Sequence, residues 1–230
     1  MDVFNNIYVY DVSVFSDPEE FNKAYAKMDP QRKEKIDRFR NDSDKYLSLG
    51  AGMLLKTVLS DAGLGDCGIE IAGSGKPMLV GRGNAFFNLS HSGKYAVMAL
   101  SDKAVGIDVE KNKSFKKSLI EYVYDAKEQA FVTKLLEEAE APGATCSRDK
   151  DALYTGLWTA KESVMKYFGI GLGMDPRKIH IEMNEEMKLL RATHVEADCS
   201  NLFIHRYELG DYQISVCTEH ETYGGIVPVG

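Results

Sequence analysis

The chain has 230 residues, 44% hydrophobic and 27% charged, enough to bury one large core or two small ones without disulfides. A formal net charge of −7 and a pI near 5.3 exclude a generalised nucleic-acid surface. The four cysteines, Cys67, Cys146, Cys199 and Cys217, form no C-x-x-C pair and read as reduced thiols of a cytoplasmic protein. Neither a signal sequence nor an apolar run of about 18 residues is evident, so secretion and membrane spanning are not expected.

Residues 7–14 alternate and are rich in β-formers, which predicts a first strand. Asp17-Pro18 and Asp29-Pro30 each place a capping residue before a proline, the pattern of a helix start, and the second opens a short basic helix through Arg40. A longer helix is predicted over 42–62, with Leu47, Leu54, Leu55, Val58 and Leu59 apolar and Gly63 and Gly65 as stops. Short strands follow at 69–71, 78–80, 86–89, 95–100 and 105–110. The second half begins with helices at 115–123 and 127–140, breaks at Pro142-Gly143, and reads as an exposed loop up to Asp151. A long helix over 151–168 is closed by Gly169 and Gly171, and strands at 178–182, 188–192, 202–208 and 212–217 complete the chain. Each half pairs helices with an antiparallel meander, an α+β class.

Two acidic residues in Val105-Gly106-Ile107-Asp108-Val109-Glu110 carry the first chemical signal. Alternation puts Val105, Ile107 and Val109 on a buried face and Asp108 and Glu110 together on the other. Carboxylates about 6.6 Å apart along one strand repel unless a cation lies between them. The plain alternative is a strand with one wet face. In Trp158-Thr159-Ala160-Lys161-Glu162, Trp158, Glu162 and the following Lys166 are i, i+4 neighbours on one helix face, and by themselves would be a solvated Glu162–Lys166 pair. Taken with Asp108 and Glu110, Glu162 supplies a third oxygen ligand, a donor set suited to Mg²⁺.

With Phe87-Asn88-Leu89-Ser90-His91-Ser92-Gly93, Asp29-Pro30, Arg38-Phe39 and Gly75-Lys76-Pro77, these blocks resemble the 4′-phosphopantetheinyl transferases, in the larger surfactin-synthetase-activating (Sfp-type) branch. The resemblance covers most of the chain in the family's order. It implies two similar α/β halves related by a pseudo-twofold, here 1–104 and 105–230, with the active site between them. The implied reaction moves 4′-phosphopantetheine from coenzyme A to a serine of an acyl or peptidyl carrier protein and releases 3′,5′-ADP. Its metal is Mg²⁺, with Mn²⁺ as an alternative, bound by Asp108, Glu110 and Glu162. Neither nucleic acid nor membrane is an expected partner, and the protein is expected to be a cytoplasmic monomer.

The same resemblance places Lys161 and Lys166 near the coenzyme A pyrophosphate, Asp108 and the Ser90-His91 pair against the cofactor, Lys76 and Pro77 at its adenine end, and Arg32 and Lys35 at the 3′-phosphate. Taken singly, His91 reads as a loop histidine bonded to backbone, Lys76-Pro77 as a turn, and Arg32 and Lys35 as part of a solvated helix face. Leu47 departs from the pattern, standing where the family often has an arginine; Lys45 and Arg40 are the substitutes at hand. Glu128 lies in Asp125-Ala126-Lys127-Glu128, a capping box that explains itself, yet it matches a family glutamate considered as general base. A carboxylate such as Glu128, a metal-bound water or Glu162 itself could take the serine proton. The apolar loop 167–174, Leu172 and Met174 included, matches a carrier-contacting region, against the alternative that it packs under the next strand. His180, His194, His205 and Cys199 show no zinc-ligand spacing. Rival functions are a Mg²⁺-dependent nucleotide phosphohydrolase, although no P-loop is present, and a non-catalytic carrier-binding module.

Overall fold

The first strand stops sooner than its alternation suggests. β1 (Asn6–Asp11) ends where Asp11 accepts hydrogen bonds from the Ser13 amide (3.0 Å) and hydroxyl (2.6 Å), which turns the apolar run that follows into a 3₁₀ helix, Val12–Ser16. The computed structural model describes residues 3–73, 75–81, 84–142, 148–170 and 173–230.

Both Asp-Pro signals open helices as expected. Asp17 caps α1 (Pro18–Ala26) and Asp29 caps α2 (Pro30–Asp37), each accepting a backbone N–H with proline in the first turn. α3 (Asp42–Asp61) follows, and then a small hairpin of β2 (Ile69–Ile71) and β3 (Pro77–Leu79). β4 (Phe86–Ser92) and β5 (Tyr95–Ser101) form a hairpin whose turn uses Gly93 at φ 55°. β4 therefore runs three residues past its expected end and takes Ser90 and His91 into the ladder, opposite Val97 and Ala96.

The second set of elements comprises β6 (Val105–Lys111), α4 (Lys117–Val123), α5 (Ala126–Glu140), α6 (Lys150–Phe168), β7 (Ile179–Glu182), β8 (Leu189–His194), β9 (Phe203–Leu209) and β10 (Tyr212–Thr218). A final short strand, β11 (Ile226–Pro228), has no counterpart in the sequence reading; it pairs parallel to β1.

Two compact units result. One consists of the residues up to Val105 with Thr222–Gly230, the other of Gly106–Glu221. The first is built on a sheet of order β11-β1-β5-β4, with α3 packed on β1 and β5. Ile36, Leu49, Leu54, Met98 and Leu100 are fully buried in its core. The second is built on a sheet of order β6-β10-β9-β8-β7, with α6 packed on β10 over Leu157, Val164, Ile179, Ile204 and Cys217. Among the described residues Cys67, Cys199 and Cys217 form no disulfide; Cys146 lies outside them.

Candidate active site

Gly106 decides the geometry of the second unit's acidic patch. A Cβ at this position would stand 2.9 Å from the Lys166 carbonyl carbon and closer still to the Ser163 oxygen and Tyr167 nitrogen, all α6 backbone. Glycine here lets α6 lie directly on β6. Alternation places Asp108 and Glu110 on the same strand face as Gly106. At Asp108 that face is covered, where the strand pattern alone allowed a wet one, while Glu110 is half-buried. Asp108 is 5% exposed, and the Lys166 ammonium, in the last turn of α6, donates to its Oδ1 at 2.7 Å.

Along α6 every residue from Leu153 to Met165 is buried except Trp158 and Glu162, and Lys166 is again half-buried. The i, i+4 spacing thus marks the one open stripe of the helix. Burial pushes the Glu162 carboxyl above its ordinary value, the Asp108 charge adds to this, and Glu110 contributes further, while Lys166 and Lys113 pull the other way. Lys113 also meets Glu110 at 3.0 Å.

An all-oxygen donor set short of positive charge suits a hard divalent cation, so the residues fit Mg²⁺ in chemistry and electrostatics. They are not gathered into a finished cage: among the described residues, no group of three or more His, Cys, Asp or Glu converges closely enough to hold a metal. Lys166 on Asp108 and Lys113 on Glu110 stand where cationic charge is called for.

In the first unit, Arg32 and Lys35 sit one turn apart on α2. Gly52 gives the Arg32 stem room on α3, since a Cβ there would be 3.3 Å from Arg32 Cγ. Desolvation and then the like charge of Arg32 hold the Lys35 ammonium below its usual value. Burial also lowers the Arg32 guanidinium, and two desolvated cations side by side are relieved by an anion. Lys45, a candidate substitute for the missing arginine, is drawn to Asp42 at 3.0 Å, while Leu47 packs against the first unit's core. Lys76 donates to the Val105 carbonyl at 3.0 Å, and Pro77 begins β3. On β4, Ser90 is buried and His91 exposed, on opposite faces of the strand.

Two models of one family cover nearly the whole chain: "4′-phosphopantetheinyl transferase superfamily" matches residues 104–217 and "4′-phosphopantetheinyl transferase, N-terminal" matches 16–103. The chain belongs to the 4′-phosphopantetheinyl transferase family. This transferase is 24% identical over 212 residues to 4′-phosphopantetheinyl transferase Sfp of Bacillus subtilis, covering 89% of the chain and 88% of that relative. It is 32% identical over 151 residues to 4′-phosphopantetheinyl transferase psf-1 of Bacillus pumilus, covering 65% and 59%. A Xenopus laevis relative, L-aminoadipate-semialdehyde dehydrogenase-phosphopantetheinyl transferase, is 29% identical over 164 residues, covering 67% and 54%. These findings give the phosphohydrolase and non-catalytic alternatives no support.

Within the transferase, Glu128 and Lys161 occupy places different from those expected of a base and a pyrophosphate ligand. Both are buried, 1% and 0% exposed in their side chains, and pair at 2.9 Å. Glu128 Oε2 also accepts from the Asp125 amide (3.0 Å) in a complete capping box, and Oε1 accepts from the Ile181 amide (2.9 Å). Lys161 Nζ donates further to the carbonyls of Val123 (3.1 Å) and Pro176 (3.2 Å). Each ion is hydrogen-bonded on every side, as burial of a charge requires, so the pair ties α5 to α6 and to the start of β7 instead of facing substrate. Met174, expected on a carrier-binding loop, is 5% exposed and packs in the second unit's core, whereas Ile170 is exposed; Gly171 and Leu172 lie outside the described residues. The role of Gly106 was missed, although an isolated glycine in a strand already signals close backbone approach.

Proposed function

We propose that this transferase moves 4′-phosphopantetheine from coenzyme A to a carrier-protein serine with Mg²⁺ held by Asp108, Glu110 and Glu162. The observation that carries the reading is the direct packing of α6 on β6 at Gly106, which sets half-buried Glu162 within reach of the Asp108 and Glu110 charges that raise its carboxyl. Bound among these carboxylates, Mg²⁺, or Mn²⁺ in its place, would neutralise pyrophosphate charge and stabilise the leaving group.

The chain's own residues divide the remaining work. The serine oxygen forms a bond to the β-phosphorus, the bond to the 3′,5′-ADP oxygen breaks, and the serine proton passes to a base. Glu162, half-buried on the open stripe of α6, can take that role directly, whereas Glu128 is locked in its buried pair. Lys166 supplies positive charge where the departing 5′-phosphate of 3′,5′-ADP gains negative charge. Arg32 and Lys35, with exposed His91, bind the 3′-phosphate, and Lys76, Pro77 and Ser90 line the nucleotide end of coenzyme A. We further read the protein as a cytoplasmic monomer, as the family resemblance implies; no helix among the described residues is long and apolar enough to cross a membrane.

The test is intact mass of an apo carrier domain after incubation with coenzyme A and Mg²⁺. Asp108→Ala is expected to keep its circular dichroism and lose about a hundredfold or more in turnover. A folded Asp108→Ala protein with near-normal turnover refutes the assignment. Release of 3′,5′-ADP without carrier would restore the phosphohydrolase.

A further inference from the structure

The segment that follows Glu110 is tied down from two sides. The Lys113 amide donates to Oγ1 of Thr155, a fully buried residue of α6, at 3.2 Å. The Asn112 amide donates to the Asp211 carbonyl at 2.7 Å, in the turn between β9 and β10. Asn112 Oδ1 accepts from Gln213 Nε2 at 3.2 Å, and Gln213, on β10, is 1% exposed. Gln213 Oε1 in turn accepts from Arg206 Nη2 at 2.8 Å, while Arg206 Nη1 donates to the Met187 carbonyl at 2.9 Å.

Arg206 is a poor stabiliser by placement. Its guanidinium is buried against α6 at Gly156, where a Cβ would stand 3.0 Å from Nε and closer to Cζ and Nη2. Nε finds no acceptor among the described residues, and an unmet buried donor is destabilising. Burial pulls the guanidinium down to about 10, against the nearby Glu208 charge, so at neutral pH the group is still charged and can only donate.

We infer that Arg206 is a positioning residue whose donor-only guanidinium sets the direction of the Gln213 and Asn112 amides, and thereby holds the end of β6 that carries Glu110. Either amide could face both ways by shape alone. With a donor at 206 the Gln213 oxygen must face it, its nitrogen is left for Asn112, and the Asn112 oxygen must accept. An apolar residue at 206 removes that direction. The inference rests on Glu110 as a metal ligand, and the experiment separates the two.

Full-length Gln213→Glu, Arg206→Met and Glu110→Ala proteins are compared with the parent. The readouts are amide hydrogen exchange over residues 108–114 without metal, the Mg²⁺ concentration for half-maximal carrier modification, and thermal unfolding. Gln213→Glu keeps the arginine paired but turns an acceptor toward Asn112 Oδ1. It is expected to exchange faster over 108–114 and to need about tenfold more Mg²⁺ without a lower Tm, and Arg206→Met is expected to show the same exchange and Mg²⁺ shifts. A purely structural Arg206 predicts a lower Tm for Arg206→Met with parental exchange and Mg²⁺ demand in Gln213→Glu, which overturns the inference. Faster exchange with unchanged Mg²⁺ demand also overturns it; if Glu110→Ala leaves that demand unchanged as well, the metal assignment is what failed.

Discussion

Replacing Gly106 by alanine tests the contact that brings the acidic strand and the α6 stripe together. Ordinary carbon contacts settle at roughly 3.5–4.0 Å, yet the new Cβ would be 2.9 Å from the Lys166 carbonyl carbon and nearer to two other α6 backbone atoms. Backbone cannot rotate away as a side chain can, so α6 must retreat by about 1 Å, at an overpacking cost of about 1–3 kcal/mol. The Lys166–Asp108 bond, 2.7 Å in the parent, would open to roughly 3.7 Å, beyond hydrogen-bond range. Glu162 retreats with the same helix, and a misplacement of about 1 Å costs on the order of a hundredfold in rate. The assay is urea unfolding beside carrier modification followed by intact mass. Gly73→Ala, at a position with open space around it, is the control and should be neutral. A Gly106→Ala protein with parental stability and turnover would refute the reasoning, since the close approach would then carry no weight.

Lys161→Met strands the Glu128 carboxylate at 1% exposure and should cost about 3–5 kcal/mol, seen as a lower urea midpoint; an unchanged midpoint would show that the pair holds nothing together. Asp125→Ala removes the α5 cap and the partner of His180 at 2.7 Å, an expected loss of about 1–2 kcal/mol near neutral pH. Burial raises the Asp125 carboxyl, but hydrogen bonds from the Glu128 amide, His180 and the Lys127 amide outweigh it and leave the group below its ordinary 3.8. Its stability is therefore present above the unfolded-state value and lost as pH falls through the lower folded value, so parent and variant should converge only below about pH 4. A gap in Tm that persists at pH 2 would contradict this. Dephospho-coenzyme A should bind more weakly than coenzyme A by calorimetry, and Lys35→Ala should narrow the difference; equal dissociation constants in the parent would remove Arg32 and Lys35 from the 3′-phosphate.

Local rules in the chain itself determined a good part of this. Asp17-Pro18 and Asp29-Pro30 fixed helix starts because cap and proline act within one turn, and Gly169 closed α6 because its φ of 69° suits glycine. The 158, 162, 166 stripe was legible for the same reason, as helical periodicity alone sets which side chains share a face. What lay beyond reach depends on atoms distant in sequence. No pattern within 105–110 says that the Asp108 face is covered, since the cover is α6, admitted by a missing Cβ at Gly106. Nothing within 125–128 or 158–162 reveals that Glu128 and Lys161 satisfy each other in the interior, a pairing that burial imposes once α5 and α6 meet. The return of residues 226–228 to β1 was equally hidden, because a three-residue strand owes its existence to the partner whose backbone groups it completes.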